Sequence, residues 1–263
     1  ASLYNDPGLL FSRVRWLNNA KKYAEAAALL RQSPQDPALT IDGDAWWAEQ
    51  RQTARKILDK GDHETAYLIS ARHSARSTSN KVEAEFMAGW IALRFLDDPH
   101  RAEPHFAAVE AAAETPLQKS RALYWLGRTA QALRTSESEG RAQEFYKKAA
   151  LHSTTFYGQL SIAKLGLDAQ PLRPAPQATP KEAHNETVRS ITALLAAGEK
   201  EIAAPLALDA AKNFKDENQI AALGEVIAKH QDAKLSLVYG KSASYRGVAL
   251  DHIAFPSYGV PDY

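Results

Sequence analysis

The sequence predicts an all-α protein, a superhelical solenoid of tetratricopeptide-like helix pairs forming part of a ring or doughnut-shaped domain. Three observations predict the helices and their stacking. Apolar residues recur at helical rather than alternating spacing. Alanine, the best helix former, is abundant while Gly totals only 13 of 263 residues. A small residue also returns at a near-constant interval along the chain.

Phe86, Gly89, Trp90, Leu93 and Leu96 fall on one face of a helix, as do Leu123, Leu126, Ala130 and Leu133 further on. Asp6-Pro7, Asp36-Pro37 and Asp98-Pro99 mark helix starts, each offering a carboxylate to orphan N–H groups and a ring whose φ suits the first helical position. The adjacent pair Asp97-Asp98 therefore reads as a cap rather than a metal-binding pair, since no third carboxylate follows one turn later. Asp42-Gly43-Asp44 reads as a turn with Asp44 capping a helix that begins at Ala45.

The periodic residue is an alanine in the second helix of each pair, at Ala26, Ala66, Ala102 and Ala142, with spacings of 40, 36 and 40. A bulky group follows each within a turn: Leu29 and Leu30, Ile69, Phe106, then Phe145 and Tyr146. Each second helix thus pairs a close-contact notch with a large knob, which lets neighbouring helices interdigitate. Gly89 and Gly127 occupy the preceding helices in tetratricopeptide style, although the interval exceeds that repeat's usual length of about 34 residues. Gly198 to Ala203 copies the form of Gly61 to Ala66 and predicts a fifth unit, and a sixth is expected around Ile220 to Val238.

Between the fourth and fifth units, Pro171, Pro174, Pro176 and Pro180 preclude a continuous helix. The predicted organisation is a repeat array over 1–167, a Pro-rich, extended and exposed connection over 168–180, further repeats over 181–255 and an extended linker over 256–263. Ala1-Ser2-Leu3 carries neither an initiator Met nor a signal region, so the start is expected to be processed or truncated.

Composition narrows the function. With 32 Lys+Arg against 31 Asp+Glu the net charge is +1, which leaves no electrostatic footprint for nucleic acid, and no apolar run is long enough to span a bilayer. The chain has no Cys, so disulfides, thiolate chemistry and cysteine zinc sites are excluded, whereas the compartment is not decided by that fact. No nucleophile elbow, phosphate-cradling loop or dinucleotide fingerprint occurs. His100 and His105 project about 140° apart on a helix, unlike a zinc-binding pair. Glu137 and Glu139 read as solvated loop charges rather than a glycosidase acid and base. No catalytic residue, metal ligand or cofactor is assigned.

Aromatic clusters are the remaining candidates, since sugar rings stack on flat side chains. Trp46 and Trp47 point about 100° apart on a helix, so one is expected in the core and the other towards a groove or the next repeat; large aromatics at repeat junctions usually pack, and Trp47 is taken as the substrate-binding candidate of the two. Tyr157 and Gln159, within Thr154 to Leu160 and near the break in the array, are the other two substrate-binding candidates.

Six stretches carry a family likeness: Tyr4 to Leu17, Asp44 to Arg51, Phe86 to Pro99, Tyr124 to Arg128, Thr154 to Leu160 and Arg246 to Pro256. Together, and in this order, they resemble the superhelical region of soluble lytic murein transglycosylases, and the likeness covers nearly the whole chain. It implies a periplasmic location, a ring-like helical domain beside a lysozyme-like catalytic domain, and peptidoglycan glycan strands as substrate. In that family one Glu acts first as acid on the glycosidic oxygen and then as base for the sugar's own 6-hydroxyl, giving a 1,6-anhydro product. The family's catalytic signature, a Glu-Ser pair ahead of Gly-Leu-Met-Gln, is not found. Met87 lies in Phe86-Met87-Ala88, and Glu137-Ser138 has no such downstream stretch. The resemblance therefore implies an inactive scaffold whose partners are the glycan, a catalytic domain of the same parent chain and other cell-wall proteins. The alternative is a tetratricopeptide-like adaptor that holds a protein or peptide in its concave face.

Overall fold

The structure, a computed structural model, describes residues 6–34 and 36–259. It is all-helical, 72% helix, with no strand among the described residues. Among the described residues fifteen α-helices follow one another: α1 (Pro7–Asn19), α2 (Tyr23–Leu30), α3 (Gly43–Asp59), α4 (His63–Ala71), α5 (Thr78–Phe95), α6 (Pro99–Ala111), α7 (Pro116–Leu133), α8 (Ser136–Ala150), α9 (Phe156–Lys164), α10 (Pro180–Ala183), α11 (Glu186–Ala196), α12 (Lys200–Asn213), α13 (Glu217–Lys229), α14 (Ala233–Tyr245) and α15 (Asp251–Ala254). They form two compact units, one made of residues up to Glu114 with Gln118–Leu151, the other of Thr115–Leu117 with the residues from His152 onward.

In the first unit each helix from α1 to α5 packs on the next and often on the one after, as α1 does on α2 and α3, and α6 meets α7 through the stacked rings of Phe106 and Trp125. The four periodic alanines lie on α2, α4, α6 and α8, and each has no exposed surface. Ala203 on α12 of the second unit is equally enclosed. The knobs beside them, Leu30, Ile69, Phe106 and Tyr146, are also buried. The glycines of the partner helices explain why. A Cβ on Gly89 would stand 3.1 Å from the Phe106 ring, and one on Gly127 would stand 2.6 Å from the Tyr146 ring. In the second unit Gly224 of α13 makes the same room, for Ile253 at 2.6 Å and the Tyr239 ring at 3.4 Å.

A second regularity lies in the turns. The residue immediately before the N-cap of α2, α4, α6, α8, α12 and α14 has positive φ in every case: Lys21 (58°), Gly61 (87°), Asp97 (50°), Arg134 (56°), Gly198 (80°) and Gln231 (49°). Each turn reverses the chain through one left-handed residue, the device that commonly ends a helix. Side chains then cap the next helix, as Asp62 does for Thr65 N–H at 3.1 Å and Asp98 for Arg101 N–H at 3.0 Å.

Three local expectations are corrected. Asp42, not Asp44, caps α3, because its carboxylate accepts from the N–H groups of Asp44 and Ala45 at 3.1 and 2.9 Å. Asp44 instead reaches across to accept from the N–H groups of Arg76 and Ser77 at 2.9 and 3.1 Å, where α5 begins. The Arg76 hydrogen bond, followed by that of the Asn80 side chain, holds its carboxyl down at about 2. Glu137 and Glu139 lie in the first turn of α8, not in a loop, where their exposed charges oppose the positive end of the helix. The Pro-rich stretch is extended and largely exposed as expected, but Arg173 and Ala175 tie it down: Ala175 packs on the second unit's core and Arg173 binds Asp251 of α15. The expected linker at 256–263 is described only as far as residue 259, where Tyr258 Oη donates to Ser236 Oγ at 2.6 Å.

Candidate functional site

The second unit carries a groove whose walls combine exposed aromatic rings with cations. Thr154, Thr155 and Phe156 form one side at the start of α9, Lys241, Ser244 and Tyr245 of α14 another, and Arg173 and Phe255 the rest, with Pro116 and Leu117 at its edge. It encloses about 160 Å³. Each wall has a local cause. Thr155 caps α9 by accepting from Gly158 N–H at 3.1 Å, and a Cβ on Gly158 would meet the His152 carbonyl oxygen at 2.0 Å. Only glycine lets α9 start so close to that carbonyl. Its first residue, Phe156, is consequently presented outward, 63% exposed, with its ring edge-on to Tyr157 at 5.1 Å.

Asp251 fixes the groove's deep side. It has no exposed surface and accepts from the Arg173 backbone N–H, Nε and Nη2 at 2.9, 3.0 and 2.6 Å. Burial alone disfavours its charge, but the hydrogen bonds and charge of Arg173 outweigh that and hold the carboxyl below its ordinary value. Across the groove the Lys241 ammonium lies 3.8 Å above the Phe255 ring, and no carboxylate pairs with it among the described residues. Tyr245 is 60% and Phe255 44% exposed, and the Ser244 hydroxyl is buried with no hydrogen-bond partner. The groove offers flat apolar faces beside one uncommitted cation and several hydroxyls. That set stacks on a ring and engages an anionic or hydroxyl group on its rim.

The three candidates from the sequence meet different fates. Trp47 is 1% exposed and Trp46 4%, so both rings are core residues of the first unit; Trp46 packs on Phe11 at 5.2 Å and Trp47 on His73 at 6.0 Å. Of the two places expected for the second ring, a groove or the next repeat, neither Trp faces a groove, because α3 is covered on both sides, by α1 and α2 and by α4 and α5. Tyr157 is half-buried beside Phe156, and Gln159 is exposed on α9, yet neither lines the groove. Phe156, in the same motif, is the residue that does. Phe255 belongs to the Arg246 to Pro256 stretch, but Arg173, Lys241 and Tyr245 stand singly in sequence and no spacing marks them.

The first unit has two further polar features. A recess along α3 is lined by Gln52, Arg51, Arg55 and Lys56 with Trp90, but Arg51 and Arg55 are already committed to Glu83 at 2.8 and 3.8 Å. Glu85 of α5 binds two imidazoles, His105 Nδ1 at 2.6 Å and His73 Nε2 at 3.1 Å, while Tyr67 Oη lies 3.2 Å from His105 Nε2. Buried Gln50 holds the loop that carries His73, donating to the Arg72 carbonyl and accepting from Ser74 N–H. Both Glu85 oxygens are taken, so this centre ties helices together rather than presenting a free acid. No cluster of three His, Asp or Glu side chains is placed to hold a metal ion among the described residues, and no described helix is long and apolar enough to cross a membrane. Comparison of the chain with protein-family models, with curated proteins and with solved structures gave no match.

Proposed function

We propose that this chain is the non-catalytic superhelical region of a periplasmic lytic transglycosylase-like protein, and that it holds peptidoglycan glycan while a catalytic domain of the same parent cleaves it. The groove of Phe156, Tyr245, Phe255 and Lys241 is the observation that carries this reading. Pyranose rings stack through their C–H faces on such side chains, and the free carboxylates of the stem peptides carried by the muramyl residues suit the Lys241 ammonium. In this reading the consecutively packed helices are tetratricopeptide-like pairs of a solenoid, and such stacked pairs suit a scaffold of this kind. Among the described residues no Asp or Glu lines this groove, and in this reading the anhydro-forming chemistry belongs to the catalytic domain.

Co-sedimentation with purified peptidoglycan tests the reading. The wild-type chain is expected to pellet with the glycan without releasing 1,6-anhydromuropeptides, and Phe156→Ala with Phe255→Ala is expected to lower the bound fraction several-fold. Both side chains are largely solvent-facing, so the fold is retained, which circular dichroism checks. A wild-type chain that stays in the supernatant, or a double variant that binds as well, overturns the assignment.

A further inference from the structure

A second groove, contiguous with the first through Lys241 and Tyr245, runs between α12 and α14. Its walls are Leu208 and Lys212 of α12 with Leu237, Val238, Lys241 and Ser242 of α14, around a volume of 480 Å³. Its existence is unexpected for a helix that already buries a full face. α14 places Leu235, Tyr239 and Ala243 in the core, yet Leu237 and Val238 on its other side are each 42% exposed. They continue at helical spacing into Lys241 and Tyr245, so α14 is apolar on two faces and only one is covered.

We infer that this groove docks an amphipathic, acidic helix of a protein partner. The wall chemistry selects the class. Besides its two lysines the groove presents Leu208, Leu237 and Val238 with two hydroxyls, those of Ser242 and Tyr245, too few hydrogen-bonding groups to satisfy a sugar's ring of hydroxyls. A helix, whose backbone groups are satisfied internally, can lay an apolar stripe there without leaving polar atoms unpaired. The ends select the charge. Lys212 and Lys241 flank the apolar floor, neither has a carboxylate partner among the described residues, and no acidic residue lines the groove. Carboxylates flanking the partner's apolar stripe complete both pairs, and a basic helix meets two like charges instead.

Two peptides of about 15 residues, roughly 22 Å long as helices, probe this on the intact chain. Both carry Leu at i, i+3, i+4 and i+7; one is flanked by Glu and the other by Lys. Fluorescence anisotropy should show the Glu-flanked peptide binding more tightly, with Leu237→Ser plus Val238→Ser weakening it about tenfold. Lys212→Glu should shift preference about threefold towards the Lys-flanked peptide. Equal binding of both peptides, insensitivity to the Leu237 and Val238 changes, or competition by soluble glycan strands that depends on Leu237 overturns the inference. Leu237, Val238 and Lys212 lie outside the aromatic groove, so failure here leaves the glycan reading untouched, and loss of glycan binding in the Phe156 and Phe255 variants leaves this one untouched.

Discussion

The Glu85 carboxylate and the His105 imidazole, on adjacent helices α5 and α6, meet at 2.6 Å, and the same carboxylate holds His73 at 3.1 Å. The partners settle the tautomers. His105 donates from Nδ1 to Glu85 and its Nε2 is left to accept from the Tyr67 hydroxyl; His73 donates from Nε2, and its buried Nδ1 has no partner. One acid thus closes a contact between two helix pairs. Burial pushes the Glu85 carboxyl up, but the hydrogen bonds of His105 and His73, joined by the charge each imidazole carries once it is protonated at low pH, outweigh it and hold the group at about 2.

Because the folded value lies below the ordinary 4.5, Glu85 stabilises the fold fully above about pH 4.5, and that contribution is lost as pH falls towards 2. Glu85→Gln is expected to lower the unfolding free energy by about 1–2 kcal/mol at pH 7, a figure already reduced for the partial exposure of the site. Urea denaturation at pH 7 and at pH 2.5 measures it, with the gap between wild type and variant narrowing at the lower pH. A constant gap would show that Glu85 acts only through packing.

The left-handed residues before each second helix predict a paired result. Gln231 has φ 49° and Gly61 has φ 87° at equivalent places in their turns. A residue with a Cβ costs about 1 kcal/mol more than glycine in this region. Gln231→Gly should raise the unfolding free energy by about that amount and Gly61→Ala should lower it. Thermal denaturation reads both, and shifts of the same sign would show that these turns are not equivalent.

The periodic alanines made the close packing of successive helices legible, because a notch that admits a neighbouring helix tolerates little else and so repeats in the sequence. The paired glycines were legible for the same reason: Gly89 and Gly127 each face an aromatic ring. The turns were only half legible. Gly61 and Gly198 announce a left-handed residue, but Lys21, Asp97, Arg134 and Gln231 adopt the same conformation without any compositional mark. The grooves were the least legible part. Phe156, Arg173, Lys241 and Phe255 meet only through tertiary packing, and the Asp251 that orients Arg173 lies 78 positions away from it. Whether Trp47 faces a groove or a neighbouring helix was not legible, because the surroundings of one of two adjacent rings depend on how many neighbours cover the helix, which local spacing does not contain.

Close approach at glycine gives a graded prediction. A Cβ on Gly240 would fall 2.4 Å from the Ala254 backbone nitrogen, whereas one on Gly89 would meet only side-chain atoms at 3.1 Å. Backbone cannot retreat as a ring can, so Gly240→Ala should cost about 3 kcal/mol and Gly89→Ala about 1. Chemical denaturation of the two variants should preserve that order. The reverse order would mean that α15 moves more freely against α14 than Phe106 does against α5.

The pair Arg173 and Asp251 anchors the Pro-rich segment, and removing one partner should be far worse than removing both. Asp251 has no exposed surface, so Arg173→Met leaves a buried carboxylate without its counter-charge, at about 3–5 kcal/mol. Arg173→Met with Asp251→Leu replaces the pair by apolar groups and should recover much of that loss. The pH dependence differs between the two backgrounds. In the wild type the Asp251 carboxyl lies below its ordinary 3.8, so its stabilisation is present above that value and is lost on acidification. In Arg173→Met the guanidinium's hydrogen bonds and charge are gone, and burial is opposed only by the backbone N–H of residue 173 and by His252, so the carboxyl rises from its wild-type position and protonating it relieves the buried charge. The deficit of the variant should therefore shrink steadily as urea titrations move from pH 7 to pH 4. A deficit that stays constant over that range would mean that the segment is held by Ala175 and its neighbours, and that the ion pair merely accompanies the contact.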